Sequence, residues 1–310
     1  MTSLSMLITR QLLRLRPSAF GSAERVDAAI RTRRPAAPVT RALRRRCRVS
    51  EEEVLGARVL RFEPRKPRAG APELVYLHGG AYVFALRTPH WWIIDRLIGL
   101  TGATVTVPLY PRAPEHSLSE ALPVVDAVLT EVRRRAGRRR VFLAGDSAGG
   151  GLALAHTIVR RDRGGDLPDG LLLFSPWLDA TLSNPDVPRL ERLDPMLDAA
   201  GLVHCAQLWA RGGDISGRLV SPLGDSLEGL PPTFVYQGDH DVLAADATAF
   251  AAKADRAART GATRVRNARP ARSPVELRVY GGAFHVFVGA VYTPEARRAL
   301  AHAAGVLGQR

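Results

Sequence analysis

Apolar strands and amphipathic helices alternate along most of this chain. Short apolar runs typical of buried strands recur, and segments with apolar residues at helical spacing separate them. We predict strands at 54–62, 74–78, 103–107, 141–144, 171–174, 233–236 and 276–280. We predict helices at 91–100, 120–135, 150–160, 194–211 and 244–259, and a last helix that ends near residue 307. Such alternation indicates an α/β fold, a mainly parallel sheet flanked by helices on both faces. At 310 residues, we expect a single domain over 1–310.

The first sixteen residues carry a different pattern. Apolar residues recur there at three- or four-residue spacing, whereas Arg10, Arg14 and Arg16 lie largely off that stripe. The stripe consists of Leu4, Leu7, Ile8, Leu12 and Leu15. A signal peptide needs an uninterrupted apolar core, so this pattern predicts an amphipathic helix instead. We expect its apolar face to pack over the binding site; the alternative is peripheral contact with a membrane surface. No run of residues approaches transmembrane length.

The charge balance is strongly basic, with a formal net charge of +14 and a pI of about 11.0. Almost all of the positive charge is arginine, since Lys66 and Lys253 are the only lysines. This usage is typical of a GC-biased coding sequence. The basic runs lack interleaved aromatic residues and no nucleic-acid motif is present, so we expect no nucleic-acid partner.

The two cysteines, Cys47 and Cys205, are isolated from each other and from histidine clusters. Their spacing matches neither a zinc site nor a disulfide framework. We therefore expect a cytoplasmic protein with no metal and no cofactor.

A serine flanked by glycines lies where a predicted strand gives way to a helix. The strand 141–144 is followed by Gly145-Asp146-Ser147-Ala148-Gly149, and the helix begins after it. This is the G-x-S-x-G nucleophile elbow, in which a sharp turn exposes the serine hydroxyl above the sheet. We predict that Ser147 is a catalytic nucleophile.

A serine hydroxyl needs a base and a group that orients the base, which follow it in the order acid, then histidine, in this class of enzyme. His156, His204 and His302 fall within predicted helices, whereas His285 follows the strand 277–280 and a Gly281-Gly282 loop. The carboxyl ends of strands carry the sites of open α/β sheets, so we predict that His285 is the base.

The acid is expected on the loop after the preceding strand, in the stretch Gly238-Asp239-His240-Asp241-Val242-Leu243. Either aspartate could orient the imidazole, and the other would then be a turn or capping residue.

Backbone amides can stabilise the oxyanion that forms on an attacked carbonyl. The loop His78-Gly79-Gly80-Ala81 follows an early strand, and Ala148 follows the serine. We predict oxyanion donors at Gly79, Gly80, Ala81 and Ala148.

Taken together, these motifs resemble the bacterial esterases of the hormone-sensitive-lipase branch of α/β-hydrolases, with their H-G-G-G loop and G-D-S-A-G elbow. Further segments continue the resemblance in order along most of the chain. They are Tyr110 to His116 (Y-P-R-A-P-E-H), Ser175 to Asp179 (S-P-W-L-D), Asp194 to Leu197 (D-P-M-L), Ser221-Pro222-Leu223, Leu230-Pro231-Pro232, Asp241-Val242-Leu243 and His285-Val286-Phe287. The resemblance favours Asp241 as the acid, and Asp239 is the alternative. It also implies a helical cap built from about 1–50 and an insertion within about 176–218.

The chain departs from the family pattern at two informative places. Ala81 stands where glycine is usual, and alanine disfavours a positive φ angle. The arginine-rich segment 264–274 looks like an insertion, which we interpret as a solvated loop.

The resemblance implies a serine carboxylic-ester hydrolase that acts on short acyl esters or lactones through a Ser-His-Asp triad and an acyl-enzyme. The alternative is a non-catalytic protein that binds a small ligand on the same scaffold. The expected partner is a small-molecule ester, and the expected assembly is a monomer or a homodimer.

Overall fold

Eight strands form one sheet. The structure is a computed structural model that describes residues 2–263 and 274–308. The strands are β1 (Cys47–Val54), β2 (Ala57–Pro64), β3 (Glu73–Leu77), β4 (Thr104–Pro108), β5 (Val141–Asp146), β6 (Gly170–Phe174), β7 (Thr233–His240) and β8 (Val275–Phe284). Their order across the sheet is β1-β2-β4-β3-β5-β6-β7-β8. The β1–β2 and β2–β4 pairs are antiparallel, and every pair from β4 across to β8 is parallel, so the sheet is mainly parallel. The predicted α/β fold is confirmed.

Ten α-helices accompany the sheet in the described residues. They are α1 (Leu4–Arg14), α2 (Ala23–Arg31), α3 (Arg41–Arg46), α4 (Thr88–Thr101), α5 (Leu118–Ala136), α6 (Ala148–Asp162), α7 (Val187–Glu191), α8 (Ala199–Trp209), α9 (Ala244–Thr263) and α10 (Pro294–Gly308). None of them is long and apolar enough to cross a membrane, within the residues that the structure describes.

The core has two layers because successive side chains of a strand point to opposite faces of the sheet. On β3, Leu74 and Tyr76 join the layer that α4 and α10 cover. Val75 and Leu77 join the layer that α5, α6 and α9 cover. Every residue of β3 is buried, which explains why the central strands have continuous apolar sequences.

The polar edge strand β1 was absent from the sequence prediction. Its residues alternate between exposed and partly buried positions, and it pairs only with β2. An edge strand with such a sequence lacks the apolar run that marks a buried strand. The β1–β2 turn is formed by Leu55 and Gly56, both with positive φ, and this Leu-Gly pair is not the usual Asn-Gly signal.

The N-terminal helix forms as predicted, but most of the apolar stripe that was predicted to face inward lies on the outside. Leu4, Ile8, Leu12 and Leu15 are exposed, whereas Met6 is fully buried. The helix therefore rests on the face opposite to most of its leucines. The arginine-rich segment 264–274 falls, except for Pro274, outside the described residues.

The N-terminal segment lies against the segment that contains α7 and α8. The Ser18 hydroxyl donates to the carbonyl oxygen of Met196 (2.9 Å), and His204 Nε2 is 2.8 Å from a carboxylate oxygen of Asp27. A Cβ atom at Gly201 would collide with the backbone of Phe20. The two segments for which a cap is expected are thus in close contact.

Candidate active site

The turn between β5 and α6 holds Ser147 in a strained conformation. Its φ angle is 52°, a value that costs a non-glycine residue free energy and that recurs at functional sites. A Cβ atom at Gly149 would collide with the carbonyl oxygen of Leu77, so only glycine lets helix α6 approach β3 this closely. The Ser147 amide donates to the carbonyl oxygen of Phe174 at 2.9 Å, which fixes the turn to β6.

Three of the predicted side chains meet at the carboxyl edge of the sheet. His285 Nε2 is 2.9 Å from Ser147 Oγ, and His285 Nδ1 is 3.0 Å from Asp241 Oδ2. All three residues are buried, and the Asp241 side chain is fully so. Ser147 and Asp241 lie 94 residues apart along the chain, and parallel pairing of β5 to β8 brings the ends of their strands to one edge.

The other aspartate of the loop faces away from this arrangement. Asp239 Oδ1 accepts the backbone N–H of Gly282 at 2.6 Å and lies 2.8 Å from His240 Nδ1. Gly281 and Gly282 are part of β8, not of a loop as predicted, and His285 follows that strand directly. Asp239 thus helps to hold β8, while Asp241 contacts the imidazole.

Asp241 is held by further hydrogen bonds. The Gln237 side chain donates to its Oδ2 at 2.7 Å, and the Leu243 amide donates to its Oδ1 at 2.9 Å. Burial lowers the pKa of His285, but the charge of Asp241 and the hydrogen bond to it raise the pKa more, so the net shift is upward. The site therefore favours the imidazolium form that arises when a base accepts a proton.

The glycine loop after β3 supplies backbone amides beside Ser147. Gly80 has a φ of 121°, which suits glycine, and Ala81 has a φ of 52°, the left-handed value that alanine disfavours. The amides of Gly80, Ala81 and Ala148 donate to no other group in the described part of the chain. These amides are free to bind a ligand.

The Gly79 amide is not free. It donates to Asp146 Oδ1 at 3.1 Å, so this residue, predicted as an oxyanion donor, instead fixes the loop to the elbow. Asp146 also accepts the Tyr76 hydroxyl (2.7 Å) and lies 3.2 Å from His90 Nε2. Despite burial, His90 and Tyr76 lower the pKa of Asp146, while that carboxylate raises the pKa of His90. This buried pair ties the loop, the elbow and α4 together.

Two residues that support the site were not singled out for this role from the sequence. Asp194 accepts the amides of Met196 and Val242 (2.8 and 2.9 Å) and thereby fastens its segment beside Asp241. Burial raises the pKa of the Asp194 carboxyl group, and the negative charge of Asp241 raises it further. Ser175 Oγ accepts the amide of Val286 at 3.0 Å, next to His285. Their only sequence signals were the D-P-M-L and S-P-W-L-D motifs.

The predicted helix at 194–211 begins only at Ala199, because the Asp194 carboxylate caps a turn instead.

A cavity of about 640 Å³ opens over Ser147 and His285. Its walls are mostly apolar and come from both the N-terminal segment and the sheet edge. They include Leu12, Phe20, Phe84, Trp92, Leu202 and Val286. Of the four tryptophans, Trp92 lines this cavity, whereas Trp91, Trp177 and Trp209 are fully buried in the core. Such a cavity fits a small, largely apolar molecule.

The described residues contain no group of three or more His, Cys, Asp or Glu side chains arranged to hold a metal ion. The polar groups that face Ser147 are the imidazole and backbone amides, which suit nucleophilic and acid–base chemistry.

Comparison with known proteins points in the same direction. A family model described as alpha/beta hydrolase fold matches residues 74–289. An esterase of Acinetobacter venetianus is 31% identical over 249 residues, which are 78% of this chain and 77% of that esterase. A triacylglycerol lipase of Mycobacterium tuberculosis is 34% identical over 193 residues, or 62% of this chain, and the chain spans only 39% of that lipase.

The fold also matches a solved esterase described as a member of the bacterial hormone-sensitive lipase family. The TM-score is 0.79 at 24% sequence identity, over 99% of this chain and 98% of that one. The chain therefore belongs to the α/β-hydrolase family, within which it is related to esterases and lipases.

Proposed function

We propose that this protein is a serine carboxylic-ester hydrolase whose catalytic triad is Ser147, His285 and Asp241. The observation that carries the proposal is the chain of two hydrogen bonds, 2.9 and 3.0 Å long, that links these side chains at the floor of an apolar cavity. The relatedness to esterases supports the reaction class. Each side chain has the type and the neighbours that acyl transfer needs.

In the proposed mechanism, Ser147 Oγ attacks the ester carbonyl carbon while His285 Nε2 accepts the hydroxyl proton. Asp241 holds the imidazole through Nδ1 and stabilises its positive charge. The free amides of Gly80, Ala81 and Ala148 donate to the oxyanion. When the tetrahedral intermediate collapses, the C–O bond breaks and the alcohol leaves with the proton from His285. Water then attacks the acyl-enzyme with His285 as base, the bond between Ser147 Oγ and the acyl carbon breaks, and His285 returns the proton to Ser147 Oγ as the acid leaves.

The substrates that we propose are short acyl esters or lactones. Apolar side chains such as Leu12, Phe84 and Trp92 line the cavity beside Ser147, which supports an apolar acyl group. We also propose that the segments 1–50 and 176–218 act as a cap, since Phe20 and Leu202 from these two segments line the same cavity. The substrate would then enter between the cap and the sheet edge.

Location and assembly belong to the proposal as well. Cys47 and Cys205 are buried and unpaired, which supports a reducing compartment such as the cytoplasm. We propose a monomer or a homodimer, which sedimentation of the purified protein would distinguish.

The experiment that tests the function replaces Ser147 by Ala and measures hydrolysis of p-nitrophenyl esters of rising chain length and of one lactone. We expect the parent to hydrolyse them and kcat of Ser147→Ala to fall by about 10⁴-fold or more, because the nucleophile is lost. The control is Ser119→Ala at an exposed position in the first turn of α5, which should keep the parental rate.

An unchanged rate in Ser147→Ala would reject Ser147 as the nucleophile. A parent that binds the esters without turnover would favour the non-catalytic alternative.

A further inference from the structure

Helix α1 presents apolar side chains to the outside of the molecule. Leu4, Leu12 and Leu15 are 71%, 58% and 80% exposed, and Ile8 is half-exposed. At 100° per residue these four side chains fall within an arc of about 80°. The buried Met6 lies on the opposite side of the helix. Soluble proteins rarely leave such a contiguous apolar face open unless it has a binding role.

This apolar face is continuous with the mouth of the cavity over Ser147. Leu12 belongs to both, since it is exposed and also lines the cavity. Trp92 and Tyr292 line the cavity as well and are 41% and 52% exposed. The Tyr292 hydroxyl lies 2.9 Å from Thr9 Oγ1, which ties the rim to α1. In the described residues, seven of the nine exposed large apolar side chains lie on this helix, at its C-cap or at this rim.

Positive charge lies at the C-terminal end of the apolar face. Arg14, in the last turn of α1, lies beyond one edge of the arc and donates to the carbonyl oxygen of Leu193 (3.0 Å), and Arg16 follows the C-cap residue Leu15. Both are exposed, and neither forms an ion pair with a carboxylate among residues 2–263 and 274–308. The helix itself contains no Asp or Glu. This distribution complements a surface that is apolar inside and anionic at its boundary.

We propose that α1 and the rim formed by Trp92 and Tyr292 dock onto an anionic lipid surface. The leucines would enter the acyl boundary, the arginines would face lipid phosphates, and Trp92 and Tyr292 would sit at headgroup level. The mouth of the cavity then opens onto the membrane, so that esters dissolved in the lipid reach Ser147 without crossing water. This second part rests on the proposed ester hydrolysis, whereas the docking itself does not.

A second copy of the chain fits this face less well. A two-fold axis through α1 would bring Arg14 and Arg16 of both copies together with no carboxylate on the helix to pair with them. It would also close both cavity mouths. A lipid surface avoids both problems, because its phosphates pair with the arginines and its acyl chains are apolar, as the cavity walls are.

Co-sedimentation of the full-length protein with vesicles tests the docking. The probes are phosphatidylcholine vesicles with and without 30% phosphatidylglycerol, at low and high salt. We expect the parent to bind the anionic vesicles, to bind less at high salt, and to leave the neutral vesicles largely unbound. The triple variant Leu4→Ser, Ile8→Ser, Leu15→Ser should lose at least tenfold in vesicle affinity. None of its three positions lines the cavity. The control is Leu55→Ser, an exposed leucine in the β1–β2 turn, which should bind as the parent does.

Activity measurements separate the two proposals. The triple variant should hydrolyse a water-soluble p-nitrophenyl ester at the parental rate, but an ester embedded in anionic vesicles at least tenfold more slowly. Ser147→Ala should bind vesicles normally and hydrolyse neither ester. If Ser147→Ala still hydrolyses both esters, the catalytic assignment is rejected, but the vesicle-binding result still stands. Parental binding by the triple variant, or no binding by the parent, would overturn the docking. A parent that is dimeric in gel filtration beside a monomeric triple variant would show that a second copy covers the face and would also overturn it.

Discussion

At the scale of single residues, the environment separates side chains that look equivalent in the sequence. Asp239 and Asp241 are two positions apart, yet only Asp241 contacts His285, and only Asp241 is fully buried. Gly79 and Gly80 are adjacent, yet the Gly79 amide is taken by Asp146, whereas the Gly80 amide is free. In both pairs a neighbour that is distant in sequence decides which group can act.

This difference predicts unequal effects for two matched substitutions. In Asp241→Asn the imidazole loses its charged partner, and we expect kcat to fall by about 10³- to 10⁴-fold. In Asp239→Asn the catalytic hydrogen bonds remain, so kcat should stay near the parental value. Steady-state kinetics on one p-nitrophenyl ester measures both. The reverse order would assign the acid to Asp239.

At the scale of elements, the cavity depends on how closely α8 packs against the N-terminal segment. Gly201 of α8 touches the backbone of Phe20, and Phe20 lines the cavity and packs edge-on against Phe84, with ring centroids 5.9 Å apart. A side chain at position 201 must therefore displace a wall of the cavity. Ser147 lies between β5 and α6, which take no part in this contact, so its position does not depend on the contact.

We predict that Gly201→Ala raises KM, by up to about tenfold, which corresponds to about 1.4 kcal/mol of binding free energy. The added methyl group pushes Phe20 outward and loosens the acyl pocket, while kcat changes less because Ser147 and His285 stay in place. The control is Gly305→Ala in α10, where a Cβ meets no atom within 4 Å. This control should leave KM unchanged and stabilise the fold by about 0.5–1 kcal/mol. Equal KM values in both variants would contradict the role of the contact.

At the scale of the whole molecule, many carboxylates form ion pairs with arginine, but Asp246 forms none among the described residues. Its side chain is fully buried at the start of α9, and within the described residues neither oxygen has a hydrogen bond of standard geometry. Burial, and then the negative charge of Asp179, raise its pKa from 3.8 to about 7, although the nearby Asn184 side chain lowers the pKa slightly. Between these two pH values the folded protein binds a proton that the unfolded chain releases. This residue therefore makes the fold less stable as the pH rises from 4 to 7.

We predict that Asp246→Asn removes this pH dependence. The variant should match the parent in free energy of unfolding only below about pH 4, where Asp246 is neutral in the folded and the unfolded chain. From pH 5 to pH 8 its advantage over the parent should grow by about 1–3 kcal/mol, because the fold of the parent holds a proton that the unfolded chain has already released. Urea denaturation at the two pH values measures the difference, and exposed Asp166→Asn is the control. The same gain at both pH values would show that charge is not the cause.

The fold class, the α/β-hydrolase family and most helices and strands were predicted from the sequence, and these predictions are confirmed. Their signals are local: apolar periodicity, and glycines at the turn where backbones meet. The triad residues Ser147, His285 and Asp241 stay a prediction, which the observed distances support.

The remaining features depend on contacts between segments that are distant in the sequence. In the folded chain the Gly79 amide donates to Asp146, Asp194 lies beside Asp241, and the polar segment Cys47–Val54 forms the edge strand β1. The leucines of α1 also face outward, although their spacing predicted an inward face. Periodicity shows that a helix has an apolar face, but not which surface covers it. That depends on contacts between residues distant in the chain, which no local pattern encodes.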